Sequence, residues 1–103
     1  MTYSVFLSFR AQTDIVHTVR WLEDNLSPSQ AAKWYEGLKK ALASLTKTPT
    51  RYPLAPEAET FGFEIREKLY GKRRSVHRIL FAIEEDEVNV IAVRHAARDQ
   101  SAP

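Results

Sequence analysis

A chain of 103 residues with 44% apolar residues and a net charge of +2 has the length for one domain, residues 1–103, and is too apolar for global disorder. The absence of cysteine removes disulfides, thiolate metal sites and cysteine nucleophiles, and fits a reducing, cytoplasmic setting. No apolar run has the length of a signal-peptide core or a membrane span, so no membrane partner is expected.

Near the N-terminus Tyr3, Val5, Leu7 and Phe9 alternate with mostly polar residues, the period of a half-buried strand. Thr13-Asp14 can cap a following helix whose apolar stripe is Ile15, Val19, Leu22 and Leu26, broadened by Trp21. His17 falls on the polar face and receives no role. Ser27-Pro28-Ser29-Gln30 supplies a second helix start, with Ser27 as N-cap, Pro28 at the first helical position and Gln30 completing a capping box. This helix is expected to run to Thr46 or Lys47, because Pro49 disfavours helical geometry at Thr48. Its stripe is Ala31, Trp34 or Tyr35, Leu38, Leu42 and Leu45, and the aromatics read as packing residues. So short a turn between two helices makes a helical hairpin.

Thr48 to Thr60, punctuated by Pro49, Pro53 and Pro56, reads as an extended connection. From Gly62 to Tyr70 the pattern alternates again: Phe63, Ile65 and Leu69 are expected inward, and Glu64, Arg66, Lys68 and Tyr70 outward. Gly71 allows a turn into Lys72-Arg73-Arg74. Val76–Arg98 then holds two apolar runs around Glu84-Glu85-Asp86-Glu87, the mark of an antiparallel β-hairpin. Pairing Ile83 with Val88 puts Phe81 opposite Val90 and Ile79 opposite Ala92 on a core face. The other face then carries Ala82/Asn89, Leu80/Ile91 and Arg78/Val93, with Arg78 diagonal to His95. The order is β-α-α-β-β-β, an α+β fold with the N-terminal helical hairpin packed on one face of a mainly antiparallel sheet.

On this reading the uncovered sheet face collects Glu64, Arg66, Lys68, Arg78 and His95. The basic run continues through Lys72, Arg73 and Arg74, an electrostatic footprint for phosphates or for an acidic protein. Metal-independent RNA cleavage needs charge stabilisation, which Arg66 and Arg78 can supply, and proton transfer, which suits Glu64 or His95. A purely structural alternative stands beside it: Glu64, Arg66 and Arg78 as a cross-strand salt-bridge set, His95 as a strand-end residue, and the basic run as a solvated loop. No metal or other cofactor is expected, since the acidic hairpin turn lacks the spacing and glycine of a calcium loop. Nucleotide-cradling, serine-hydrolase and zinc-protease motifs are absent from the sequence.

The chain resembles the RelE/ParE family of bacterial type II toxin–antitoxin toxins. The residues that carry the resemblance are Asp14…Trp21-Leu22, Ser27-Pro28-x-x-Ala31, Leu45…Pro49, Ile65-Arg66-x-x-Leu69, His77-Arg78-Ile79-Leu80-Phe81 and Val93-Arg94-His95-Ala96-Ala97-Arg98. The resemblance implies a helical hairpin on a compact antiparallel sheet, a cognate antitoxin partner and a part in plasmid stabilisation. RelE-like members cleave mRNA on the ribosome; ParE-like members inhibit DNA gyrase without a known nucleolytic site. The cleavage reading is placed first, with Arg66, Arg78, His95, Glu64 and Arg98 as catalytic candidates and Lys68, Lys72, Arg73 and Arg74 as RNA contacts. Against it, the C-terminal tail has no tyrosine. Gyrase inhibition is the alternative, and a non-toxic member that only binds antitoxin is a third.

Overall fold

The computed structural model describes residues 2–99, with the side chains of Arg74, Arg98 and Asp99 outside the description. Strand β1 (Ser4–Leu7) is shorter than the alternation suggests, because Ser8 starts helix α1 (Phe9–Asn25) early. Its hydroxyl accepts the Ala11 amide at 3.0 Å, the N-cap bond that Thr13-Asp14 was expected to supply. Phe9 is therefore the first helical residue and 84% exposed, not an inward strand residue. Helix α2 (Pro28–Ala43) begins as the sequence predicts, with the Ser27 hydroxyl accepting from the Gln30 amide at 3.0 Å. A tight turn at Ser44–Thr46 and a left-handed Thr48 before buried Pro49 end the helical hairpin.

A short helix α3 (Glu57–Phe61) precedes β2 (Arg66–Tyr70), β3 (His77–Glu84), β4 (Glu87–His95) and a final turn of helix α4 (Ala96–Asp99). The sheet runs β1-β4-β3-β2, with β1 parallel to β4 and the other pairs antiparallel. The α+β architecture, with the helical hairpin on one face, is as expected. Ala11, Ile15, Leu38, Leu42 and Leu45 from the helical side meet Ile79, Phe81, Val88, Val90 and Val93 in the main core.

The hairpin register departs from the simple one at a single place. Ile83 pairs with Val88 and Phe81 with Val90 as predicted, but Leu80 pairs with Ala92, Ile79 with Val93 and His77 with His95. Ile91 is thus an extra residue, a β-bulge. Helix α1 holds it in place: the Ser8 hydroxyl donates to the Ile91 carbonyl at 2.8 Å, and an Asp14 carboxylate oxygen accepts the Val93 amide at 2.9 Å. Asp14 therefore serves the sheet, not the start of the helix. Because strand side chains alternate, one extra residue turns every later side chain of β4 to the opposite face.

The faces of β2 are also reversed from expectation. Arg66, Lys68 and Tyr70 pair with Phe81, Ile79 and His77, which point to the helices, whereas Glu67 and Leu69 pair with Leu80 and Arg78. The physical reason is that β2 is an edge strand, where polar side chains on the helical side reach the loop around Tyr52 instead of the core. Ile65 is buried from the other side, in a small cluster with Ala55, Leu80 and Ala92. Residues 53–63 form a strap that creates this cluster. The Glu67 amide donates to the Pro53 carbonyl at 3.0 Å and the Ala55 amide to the Ile65 carbonyl at 2.7 Å, after which α3 crosses the sheet.

Candidate functional site

The open cationic face of the sequence reading is not assembled. Arg78 lies under the strap, its side chain 13% exposed. Its guanidinium donates both terminal nitrogens to the Glu57 carboxylate, at 2.8 and 2.7 Å, and its Nε to Glu67. This fork is the strong geometry of an arginine–carboxylate pair. Arg78 holds the Glu57 carboxyl below the ordinary carboxylate range, against the opposing effect of burial. Reciprocally, the Glu57 bond outweighs burial and keeps Arg78 more firmly protonated than usual, with Glu67 adding to it. Arg94 approaches the same Glu57 carboxylate at 3.8 Å.

His95 stands on the other side of the sheet. Beyond the bulge it faces His77, ring centroids 5.0 Å apart, and His77 meets Trp34 of α2 edge-on at 5.1 Å. The expected diagonal between Arg78 and His95 is thus overturned by the register. His95 Nδ1 accepts the Ala97 amide at 3.2 Å. A concavity of about 430 Å³ opens here, lined by His17, Trp21, Trp34, Ser75, His77 and His95. Among the described residues no group of three or more His, Asp or Glu side chains is placed to hold a metal.

Arg66 and Lys68 gather at a third place. Arg66 donates to the backbone carbonyls of Tyr52 at 2.7 Å and Thr50 at 3.2 Å, with Glu64 a distant 3.6 Å partner. Lys68 Nζ donates to the Tyr52 hydroxyl at 2.9 Å, and Arg51 to the same oxygen at 2.8 Å. Both cations also lie over the Tyr52 ring, 4.7 and 4.9 Å from its centroid. Burial would raise the Tyr52 pKa, yet the hydrogen bonds from Lys68, Arg51 and Ser44 bring it from 10.0 down to about 8. Glu64 is an exposed residue at the mouth of a separate surface depression. Lys72 and Arg73 are exposed in the turn before β3, and the Arg74 and Arg98 side chains lie outside the described residues.

The residues that sequence reasoning missed are Glu57, Glu67, Arg51 and Tyr52. The first two are ordinary acids whose importance arises only when Arg78 is turned towards them. A Tyr flanked by Arg in a proline-rich loop was visible, but nothing local placed Lys68 beside it. The antitoxin expected from the family resemblance calls for a groove beside the helices or a sheet edge, and an unfilled groove does lie along α1 and α2. It has a volume of about 760 Å³ and an apolar floor including Ile15, Val16, Val19, Ala31 and Tyr35.

The family described as "ParE toxin of type II toxin-antitoxin system, parDE" matches residues 5–100. The fold is similar to that of a solved chain titled "Chromosomal ParDE TA system from P. aeruginosa", with a TM-score of 0.69 and 13% identity, covering 91% of this chain and 96% of that one. Among curated proteins, none matches the sequence.

Proposed function

Since the chain belongs to the family of ParE toxins of parDE type II toxin–antitoxin systems, we propose that it arrests growth by gripping a protein target, DNA gyrase, and not by cutting mRNA. This reverses the order in which the sequence alone ranks the two activities. The observation that carries the reading is the position of Arg78. An arginine 13% exposed and already engaged by Glu57 and Glu67 beneath the strap is poorly placed to meet a scissile phosphate. Its presumed proton-transfer partner, His95, is on the opposite face. The remaining candidates, Arg66 and Lys68, are held by the Tyr52 loop, apart from both.

A toxin of this family is paired with a cognate antitoxin. The apolar groove on the helical hairpin suits an amphipathic antitoxin segment, with Val16 and Tyr35 offering exposed apolar surface and Arg20 and Lys39 at the rim for its acidic side chains. Both encounters would take place in the cytoplasm; no helix among the described residues is long and apolar enough to cross a membrane.

The deciding experiment assays the purified protein in parallel against gyrase supercoiling and against ribosome-bound mRNA. Loss of supercoiling with intact mRNA is expected. Site-specific mRNA cleavage with unimpaired supercoiling would sink the proposal.

A further inference from the structure

We propose that Arg51, Tyr52 and Lys68 form a binding site for a backbone phosphate of a nucleic acid, at the corner where the Thr48–Tyr52 turn meets the edge strand β2. The inference goes beyond gyrase contact and does not depend on it.

Three observations converge on this corner. Lys68 and Arg51 are drawn together by one acceptor, the Tyr52 oxygen, at 2.9 and 2.8 Å. Two cations held this close repel one another, so their placement calls for a compensating anion. Among the described residues, neither makes an ion pair with a carboxylate: the acidic partners go to Arg10, Lys39, Arg66, Arg78 and Arg94. Elsewhere on this protein, closely packed cationic groups do have such partners, and the Arg78 cluster is the clearest case.

The donors are also unspent. An ammonium carries three N–H groups and a guanidinium five. Each of these side chains donates one to Tyr52, leaving the rest for phosphate oxygens, Arg51 as a planar fork and Lys68 as a point charge. The site is fixed from behind. Tyr52 stands edge-on to buried Phe81, ring centroids 6.1 Å apart, while Arg66 holds its carbonyl at 2.7 Å. The phenol itself reports the field, since negative charge on its oxygen is favoured strongly enough to bring its pKa to about 8 despite burial.

The shape favours a polymer over a small metabolite. The corner opens to solvent beside a concavity of about 460 Å³ lined by Ser44, Lys47 and Arg51, and Arg51 is exposed. Lys47 and Arg51 line this concavity and Lys68 joins Arg51 at the Tyr52 oxygen, so the cations are spread over an open surface instead of enclosing a single anion.

The test measures fluorescence anisotropy of labelled 20-nucleotide single-stranded RNA and 20-base-pair DNA with the whole protein at several salt concentrations. Salt-dependent binding of at least one is expected, and the pair of arms tells which backbone is taken. Replacing Arg51→Gln and Lys68→Gln together should weaken binding at least tenfold and lower the salt slope by about one, the value for one phosphate contact. A second readout uses Tyr52→Phe, which keeps the ring packing, to assign the Tyr52 Cζ resonance in 13C NMR. Its titration midpoint should rise from about 8 when the bound oligonucleotide places a phosphate beside it. Absence of binding to both nucleic acids, equal binding by the double variant, or a midpoint unmoved at saturation would each overturn the site. Gyrase inhibition measured on the same samples keeps the two readings apart. Intact inhibition without nucleic-acid binding removes only this inference, and RNA cleavage that requires Lys68 supports the site while removing the gyrase reading.

Discussion

The sheet is closed on its two faces by different physics. On the helical side ten buried residues, from Ala11 to Val93, form a continuous apolar core. Among the described residues the buried cluster under the strap is Ala55, Ile65, Leu80 and Ala92, flanked by half-buried Ala58 and Ile91, and Glu57, Glu67, Arg78 and Arg94 add an ionic closure. Apolar burial is non-directional and indifferent to pH, so it secures the helical hairpin under all conditions that keep the chain folded. An ion cluster depends on both partners keeping their charge and geometry, so the strap is the side that can be opened selectively. The difference also explains why a basic sheet face is missing: the arginines are there, but the strap brings acids to them.

The largest expected effect comes from the helical side. Phe81→Ala removes a fully buried ring from the main core and should cost about 3–5 kcal/mol, read as a loss of global stability in urea titration. Arg78→Ala should cost less, about 2–3 kcal/mol given its partial solvent contact, because it leaves Glu57 and Glu67 close together with no arginine between them. Its signature is local: amide exchange in residues 54–63 should accelerate well before the helices are affected. Uniform acceleration across the chain would mean that the two faces are not separable.

Acid should reproduce that opening. The folded Glu57 carboxyl lies below its unfolded value, so its contribution is fully present above the unfolded pKa, near 4.5, and is lost as pH falls through the folded one. Strap protection, corrected for the intrinsic exchange rate at each pH, should therefore fall as pH drops below 4.5, and this fall should be weaker in Glu57→Gln. The Tyr52 corner carries a separate linkage in the alkaline range. With a folded pKa of about 8 against 10.0, its phenolate stabilises the fold fully above pH 10 and not at all well below 8. Lys68→Met should therefore cost more stability at pH 9.5 than at pH 7, with one of the four tyrosines returning towards pH 10 in ultraviolet titration.

The smallest effect tests the reversed faces of β2. Leu69 is 60% exposed, so Leu69→Ser should change stability by no more than about 0.5 kcal/mol, whereas Ile65→Ser, in the buried cluster, should cost several times as much. Equal losses would restore the inward Leu69 of the sequence pattern.

Much of the fold is written in short-range signals. Ser27, Pro28 and Gln30 start α2, Pro49 ends the helical hairpin, and the acidic turn between two β-branched runs makes the C-terminal hairpin, because caps, prolines and alternation act over a few residues. Those signals also sufficed for the fold class and the family resemblance. The candidate site was legible only as a set of residue types. Which of them meet was decided in three dimensions. The bulge at Ile91 depends on Ser8 and Asp14, the latter bonding Val93 79 positions further along the chain, and it is this bulge that sends His95 away from Arg78. The pairing of Arg78 with Glu57 likewise exists only because the strap crosses the sheet. Alternation fixes which side chains of one strand share a face, but it carries no information about what another part of the chain brings to that face. For this protein, that decided whether its arginines face solvent or its own carboxylates.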